Sequence, residues 1–182
     1  MKLTFKDCAQ MQQGLAQVKQ PNFSDIKDLD NKMDYLFHQD FTFAVAKNKR
    51  NLANIIEDLQ SIIEPTKEFK KYSEGREKIL RKFALKDKDG EPKTEVSYPG
   101  QERYIIPGID ENKMFIKDIG KLEKEFEDAI KNRDDQFLKY NKKLKEDSGF
   151  NPVMISKNNI PTGLDMVAMD GVLFMTDFED RK

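Results

Sequence analysis

Residues 44–85, AVAKNKRNLANIIEDLQSIIEPTKEFKKYSEGREKILRKFAL, decide the fold of this 182-residue chain. Apolar side chains recur along them in two series, each spaced by seven residues and offset by three or four. The first series is Val45, Leu52 and Leu59, and the second is Ile55, Ile62, Phe69 and Phe83, with Arg76 as its one charged member. This spacing is typical of a helix that buries one stripe against a partner helix. The pattern predicts a long helix from about Met33, of which Phe41 to Ala84 alone spans roughly 65 Å at 1.5 Å per residue.

A proline interrupts this predicted helix. Pro65 lacks the backbone donor that a helix interior needs and collides with the preceding turn, at a cost of about 3 kcal/mol if nothing compensates. Gly75 weakens the same region by about 1 kcal/mol relative to alanine. We therefore expect a kink or a break near Pro65.

A second amphipathic helix is predicted after Asp118, whose side chain suits an N-cap. Its apolar stripe is Ile119, Leu122, Phe126, Ala129 or Ile130, Phe137, Tyr140 and Leu144. Two helices of this kind bury their stripes most readily as an antiparallel pair. The predicted fold is mainly α: a long, coiled-coil-like antiparallel helical hairpin over residues 33–147.

The connection between the two helices contains most of the turn-forming residues of the chain. A small β-hairpin is predicted near residues 93–117, with strands at Tyr104–Ile106 and Met114–Ile116 and a turn over Gly108–Asn112.

The two ends of the chain form separate segments. Residues 1–32 are expected to form a short helix capped by Thr4, weakened by Gly14 and followed by a loop. Residues 148–182 are rich in apolar side chains: a strand is expected at Val153–Ile155, and one or two short helices from Leu164 to Phe178 with an interruption at Gly171. This apolar C-terminal helix either caps the hairpin or joins a second subunit, through an apolar interface that we assign to one set of residues. They are Met166, Met169, Leu173, Phe174 and Phe178.

The composition excludes several classes of function. Lys plus Arg number 32 and Asp plus Glu number 33, so no overall field attracts the chain to nucleic acid or to an anionic membrane. The single cysteine, Cys8, excludes an internal disulfide framework and a cysteine-rich zinc site. The first residues given, MKLTFKDCAQMQQ, lack the apolar core expected of a signal peptide, and no run of about 18 apolar residues occurs. We expect a soluble, intracellular protein with no membrane partner and no sequence-specific nucleic-acid partner.

No catalytic or metal-binding motif stands out. His38 is the only histidine and Cys8 lies on an apolar stripe, so neither forms a nucleophile and base pair. Asp87–Glu91, DKDGE, lacks the ligand register of a calcium loop, and no phosphate-binding glycine loop is present. The sequence predicts a protein that is not an enzyme and that needs no metal and no cofactor.

One basic cluster remains as a candidate site. Lys47 and Arg50 lie on one side of the predicted helix, close to Lys49, and they could bind an anion or an acidic partner. The alternative is that they are ordinary surface charges with packed aliphatic stems. Arg76 is predicted to face the helix stripe, where it needs a carboxylate from the second helix or a ligand.

Four stretches resemble a family of proteins in their order along the chain. They are FAVAKNKRNLANIIEDL, EGREKILRKFALKDKDGEP, KLEKEFEDAI and IPTGLDMVAMDGVLFMTDF, within residues 41–130 and 160–178. In this order they resemble a widespread family of small, mostly uncharacterised bacteriophage-encoded helical proteins. The resemblance implies a viral, non-enzymatic accessory protein that acts inside a bacterium.

The expected function is therefore binding. The chain is predicted to occupy and block a host component, such as a defence effector or its signal molecule, in the cytoplasm of the infected bacterial host. Its partner would be a host or phage protein or an anionic small molecule, and self-association into a homo-oligomer is expected. The alternative is a virion structural or assembly accessory protein that packs against capsid or tail subunits.

Overall fold

The computed structural model describes residues 2–18, 39–97, 101–161 and 163–176. Within these ranges the protein is mainly helical, as predicted, with six α-helices and one small antiparallel sheet. The α-helices are α1 (Phe5–Gln17), α2 (Gln39–Ile62), α3 (Lys67–Phe83), α4 (Lys113–Glu125), α5 (Glu127–Lys143) and α6 (Met166–Leu173). The strands are β1 (Thr94–Ser97) and β2 (Gln101–Tyr104), and Lys157–Asn159 form a 3-10 turn. Of the helices in the described ranges, none is both long and apolar enough to span a membrane.

The chain divides into two compact units. The terminal unit consists of Met1–Ile62 and Lys139–Lys182, and the central unit consists of Ile63–Leu138. The first is thus built from both ends of the sequence, whereas the second is continuous.

The predicted break at Pro65 is confirmed. Helix α2 ends at Ile62, and α3 begins after Thr66, whose side-chain oxygen accepts a hydrogen bond from the Phe69 amide at 3.1 Å. A broken helix leaves carbonyl groups without helical donors. In the central unit these are satisfied from α5, because the Arg133 guanidinium donates to the Ile63 carbonyl and the Gln136 side chain donates to the Glu64 carbonyl at 2.9 Å.

An antiparallel helical pair is present in the central unit. The end of α3 lies beside the start of α4, where the Phe83 and Phe115 rings pack edge to face with centroids 5.6 Å apart. Farther back along α3, Tyr72 packs against Phe126, with ring centroids 6.2 Å apart. The second predicted helix starts earlier than expected, because Asn112 rather than Asp118 caps it by accepting from the Phe115 amide. It is also divided, with a turn at Phe126 between α4 and α5.

The predicted β-hairpin exists within residues 93–117, but its strands are not the predicted ones. Strands β1 and β2 pair with Thr94 opposite Tyr104 and Glu95 opposite Arg103. The prediction of a strand at Met114–Ile116 is wrong, because these residues form the first turns of α4 and Phe115 packs into the helical pair. The Tyr104 hydroxyl accepts from the Arg81 side chain at 3.0 Å, which fixes β2 to α3.

The terminal unit contains the larger apolar core. Helix α1 packs against both α2 and α6, so the apolar C-terminal helix caps another part of its own chain. The fully buried side chains of this core include Leu3, Met11, Leu15, Leu52, Val172 and Met175. The predicted Thr4 cap is confirmed and forms a capping box with Asp7.

Helices α1 and α6 meet at two glycines. A Cβ atom built on Gly14 would lie 2.5 Å from the Gly171 Cα, and one built on Gly171 would lie 2.7 Å from the Gly14 Cα. The backbones are therefore in direct contact, which only glycine permits. The predicted interruption at Gly171 is wrong: α6 continues through this residue, and the glycine serves the helix crossing instead.

The start of α1 is joined to the end of α5. The Phe5 amide donates to the Glu146 carbonyl at 3.1 Å, and the Lys6 amide donates to the Leu144 carbonyl at 3.0 Å. The first amides of a helix and the last carbonyls of another are the groups that lack intrahelical partners. The unpaired amides at the start of α1 and the unpaired carbonyl groups at the end of α5 therefore satisfy one another's hydrogen-bonding requirement.

An extended segment closes the terminal unit. The Asn48 side chain, fully buried in α2, donates to the Val153 carbonyl at 3.0 Å and accepts from the Val153 amide at 2.8 Å. The Ile155 amide donates to the Met175 carbonyl at 2.7 Å. The predicted strand at Val153–Ile155 is absent, because these backbone groups bond to a side chain and to a turn rather than to a neighbouring strand.

Candidate binding surface

The predicted basic cluster is divided by the way α2 packs. Lys47 and Arg50 are exposed, whereas Asn48 between them is fully buried. Lys49 is half-buried, and its ammonium group donates to the Val18 carbonyl at 3.5 Å, at the C-terminal end of α1. A cation at this end complements the partial negative charge of the helix. Lys49 thus has a structural partner, and two cations of the cluster remain at the surface.

The prediction that Arg76 faces the helix stripe is wrong. Phe69 and Phe83, the neighbouring members of the predicted series, are half-buried and make ring contacts in the central unit, but the position between them does not follow the series. Gly75 takes the inward position against Leu122, and Arg76 is exposed. It forms no hydrogen bond or ion pair with the residues that the structure describes, so it does not need the predicted carboxylate.

The single thiol serves packing. Cys8 is fully buried and donates to the Ser148 hydroxyl at 3.2 Å, and this hydroxyl donates to the Leu3 carbonyl at 2.7 Å. Burial raises the pKa of the Cys8 thiol, which disfavours the reactive thiolate. His38 lies outside the described residues, and the described part of the chain contains no group of three or more His, Cys, Asp or Glu arranged to hold a metal.

The predicted apolar interface is partly used inside the chain. Helix α6 turns Ala168 and Val172 towards α1, and both are at most 2% exposed. The predicted residues Met169, Leu173 and Phe174 are half-buried, and Phe178 lies outside the described residues. The first turn of α6 differs, because Met166 is 82% exposed and Val167 is 46% exposed. An apolar surface therefore remains at the start of this helix.

A groove of about 540 Å³ runs beside this exposed turn, between α1 and α6. Helix α1 contributes Asp7, Gln10, Gln13 and Gly14, and α6 contributes Val167, Asp170, Leu173 and Phe174. The lining therefore combines apolar side chains with a carboxylate on each wall, and in the described part of the chain it includes no Lys or Arg. The Asp7 carboxylate is held in place, because it accepts from the Thr4 amide at 2.8 Å and from the Thr4 hydroxyl at 2.7 Å.

The polar half of this groove was not predicted from the sequence. Asp7, Gln10 and Gln13 resemble any exposed helical face, and Asp170 resembles a solvated charge. Gly14 and Gly171 were the available signal, since a glycine inside an amphipathic helix often marks close packing. Their pairing became visible only when α1 and α6 were seen to cross.

Two shallower depressions lie in the central unit. One, of about 470 Å³, includes Tyr72 and Ile130, and the other, of about 300 Å³, includes Ile79 and Leu122. In both, lysines and carboxylates alternate around the apolar residues. Such alternation is usual for a solvated helical face, so neither has the single sign of charge found in the groove of the terminal unit.

Comparison with known proteins gives no relatives. The sequence matches no protein-family model, and neither the curated proteins nor the solved structures contain a match.

Proposed function

We propose that this chain is a bacteriophage-encoded, non-enzymatic binding protein that occupies a host protein in the cytoplasm of the infected bacterium and blocks it by steric exclusion. The observation that supports this proposal is the exposed apolar turn at Met166 and Val167, next to the groove between α1 and α6. The assignment to a phage and to its host rests on the sequence resemblance described above.

The exposed turn has the character of a contact surface. Burial of a methionine or valine side chain is worth about 1.5–3 kcal/mol, and both residues lie on a helix whose other face is buried against α1. Methionine adapts to surfaces of different shape, which suits a contact that must form with a foreign protein. A partner that covers this turn would gain most of its binding energy from a few residues.

The charge of the groove favours a protein partner over an anionic signal molecule. Asp7 and Asp170 would repel an anion at this surface. Lys47 and Arg50, on α2, remain the candidate contacts for an acidic group of a partner. Arg76 stands as a separate candidate contact in the central unit.

A site-specific crosslink tests this proposal. A photoreactive amino acid at position 167 should capture one host protein in infected cells. The matched control is position 96 on β1, because Val96 is also apolar and is 74% exposed. Substitution of Met166→Asp and Val167→Asp together should abolish both the adduct and the protection of phage growth in a host that carries the targeted defence system.

Two results would contradict the proposal. Equal capture from positions 167 and 96 would show that the apolar turn is not a specific contact. Recovery of the chain in purified phage particles at a fixed ratio to capsid or tail subunits would favour the structural alternative.

A further inference from the structure

We infer that the groove between α1 and α6 receives a basic segment of the partner protein, with an apolar side chain inside the groove and Lys or Arg residues beside Asp7 and Asp170. This inference rests on the proposed binding function and specifies the chemistry of the partner.

The charges of the lining select a cation. One carboxylate stands on each wall, Asp7 on α1 and Asp170 on α6, and none of the lining residues that the structure describes is basic. Asp170 has no hydrogen bond or ion pair with the described residues, and the Asp7 carboxylate accepts only from the neutral groups of Thr4. A Lys or Arg from a partner would therefore pair with two carboxylates that have no counter-ion among the described residues.

The apolar part of the lining favours an apolar side chain of the partner between its two basic residues. Val167 and Leu173 present aliphatic surface, and Gln10 and Gln13 supply carboxamides that can donate to or accept from a peptide backbone. A volume of about 540 Å³ lies within the range of about 300–1,000 Å³ typical of ligand sites. A segment that alternates apolar and basic residues matches this arrangement.

The groove is formed before binding. The contact of Gly14 with Gly171 fixes the two helices at their crossing, and the capping box fixes Asp7. Val172, on the inner side of α6, and Met175, in the turn that follows this helix, are fully buried. Little ordering is then needed when a partner binds, which lowers the entropic cost of association.

A second copy of the chain fits this surface less well. The commonest dimers are symmetric, and they place the same patch of both subunits face to face. Such a contact would bring Asp7 and Asp170 of one copy against the same carboxylates of the other. This repulsion disfavours self-association through the groove and favours a partner of opposite charge.

The test uses the full chain and a fluorescein-labelled 12-residue peptide that alternates leucine and arginine. One control peptide has glutamate in place of arginine, and another has serine in place of leucine. Fluorescence anisotropy should detect binding of the first peptide only. Its affinity should decrease as the salt concentration is raised, because exposed ion pairs are screened by salt.

Two variants locate the binding to the groove. Asp170→Lys should weaken binding about ten-fold, since it replaces an attraction by a repulsion at a partly exposed site. Gln13→Lys, on the opposite wall, should act in the same direction. The matched control Glu57→Lys reverses an exposed acidic charge on α2, outside the groove, and should leave the affinity within about two-fold. Circular dichroism checks that each variant is folded.

Several outcomes would overturn the inference. These are equal binding of the arginine and glutamate peptides, unchanged affinity of Asp170→Lys and Gln13→Lys, or a wild-type dimer in sedimentation that Asp170→Lys converts to a monomer. If the crosslink from position 167 captures a host protein while the basic peptide does not bind, the binding function stands and only the partner's charge is wrong. If both fail, the proposed function fails as well.

Discussion

Replacement of Gly171 by alanine tests the close contact between α1 and α6. In an ordinary helix this change is stabilising by about 1 kcal/mol, because alanine has the higher helix propensity. Here the new Cβ atom would lie 2.7 Å from the Cα and the carbonyl carbon of Gly14 and from the Leu15 amide nitrogen. All three are backbone atoms, so no side-chain rotation relieves the contact.

The structure sets the size of the expected effect. Carbon atoms pack at about 3.5–4.0 Å, so the helices must separate by about 1 Å to accept the methyl group. Overpacking of this kind costs about 1–3 kcal/mol. The separation also loosens the contacts of Val172 and Met175, both fully buried. After the gain in propensity is subtracted, we expect Gly171→Ala to lower the free energy of unfolding of the terminal unit by about 1 kcal/mol, and by no more than about 2 kcal/mol.

Two other glycines supply matched controls. A Cβ atom on Gly120, in α4, would meet nothing within 4 Å, so Gly120→Ala should raise stability by up to about 1 kcal/mol. A Cβ atom on Gly75 would lie 2.9 Å from a terminal methyl carbon of Leu122, a side chain that can rotate, so Gly75→Ala should be intermediate. Urea unfolding followed by circular dichroism, with hydrogen exchange to separate the two units, measures all three. If Gly171→Ala stabilised the protein as much as Gly120→Ala, the reasoning from backbone contact would be refuted.

Three further predictions concern side chains. Asn48→Ala should lower the free energy of unfolding in urea by about 3 kcal/mol, because it removes a fully buried side chain and leaves the amide and carbonyl of Val153 without their partners, whereas Asn54→Ala, at an exposed position, should be nearly neutral. The Cys8 thiol should react with iodoacetamide at pH 8 only as fast as the terminal unit opens; rapid alkylation of the native protein would contradict its burial. The hydrogen bond from Lys82 lowers the pKa of Asp118, so its stabilising contribution is present above the ordinary aspartate pKa of about 3.9 and is lost as the pH falls through the lower native value. Acid unfolding of Lys82→Met should therefore begin at a higher pH than that of the wild type; an unchanged acid midpoint would show that the pair contributes nothing.

Local patterns predicted much of the helical structure. Thr4 with Asp7 three residues later is a capping signal, and Pro65 is a helix breaker, so the sequence alone located the start of α1 and the end of α2. The apolar stripe of α3 also predicted an antiparallel partner, because a half-buried helix needs another apolar face. These features depend on residues a few positions apart.

The misplaced features depend on residues far apart in sequence. Met114–Ile116 have the composition of a strand, and they became helical because Phe115 packs on Phe83 and Asn112 caps the turn. Arg76 was placed inward by the heptad count, but its neighbour Gly75 takes the inward position, against Leu122 of another helix. The role of Asn48 could not be predicted, since its partner Val153 lies 105 positions later.

The groove between α1 and α6 could not be predicted from the sequence for the same reason. Asp170 can be recognised as part of a candidate site only when the structure shows Asp7 on the opposite wall of the groove. The basic cluster, by contrast, was visible in the sequence because its residues are adjacent. Adjacency made it prominent, yet Lys49 turned out to bind the end of α1.

The junction between the start of α1 and the end of α5 has a consequence for the synthesis of this protein. The amides of Phe5 and Lys6 find their acceptors at Glu146 and Leu144, which are synthesised long after them. At about 5–20 residues per second, the newly made α1 must wait many seconds, with its apolar face exposed, for these acceptors and for α6. The central unit, being continuous, can fold during that interval. The nascent N-terminal segment is therefore the part of this protein that most needs protection by chaperones.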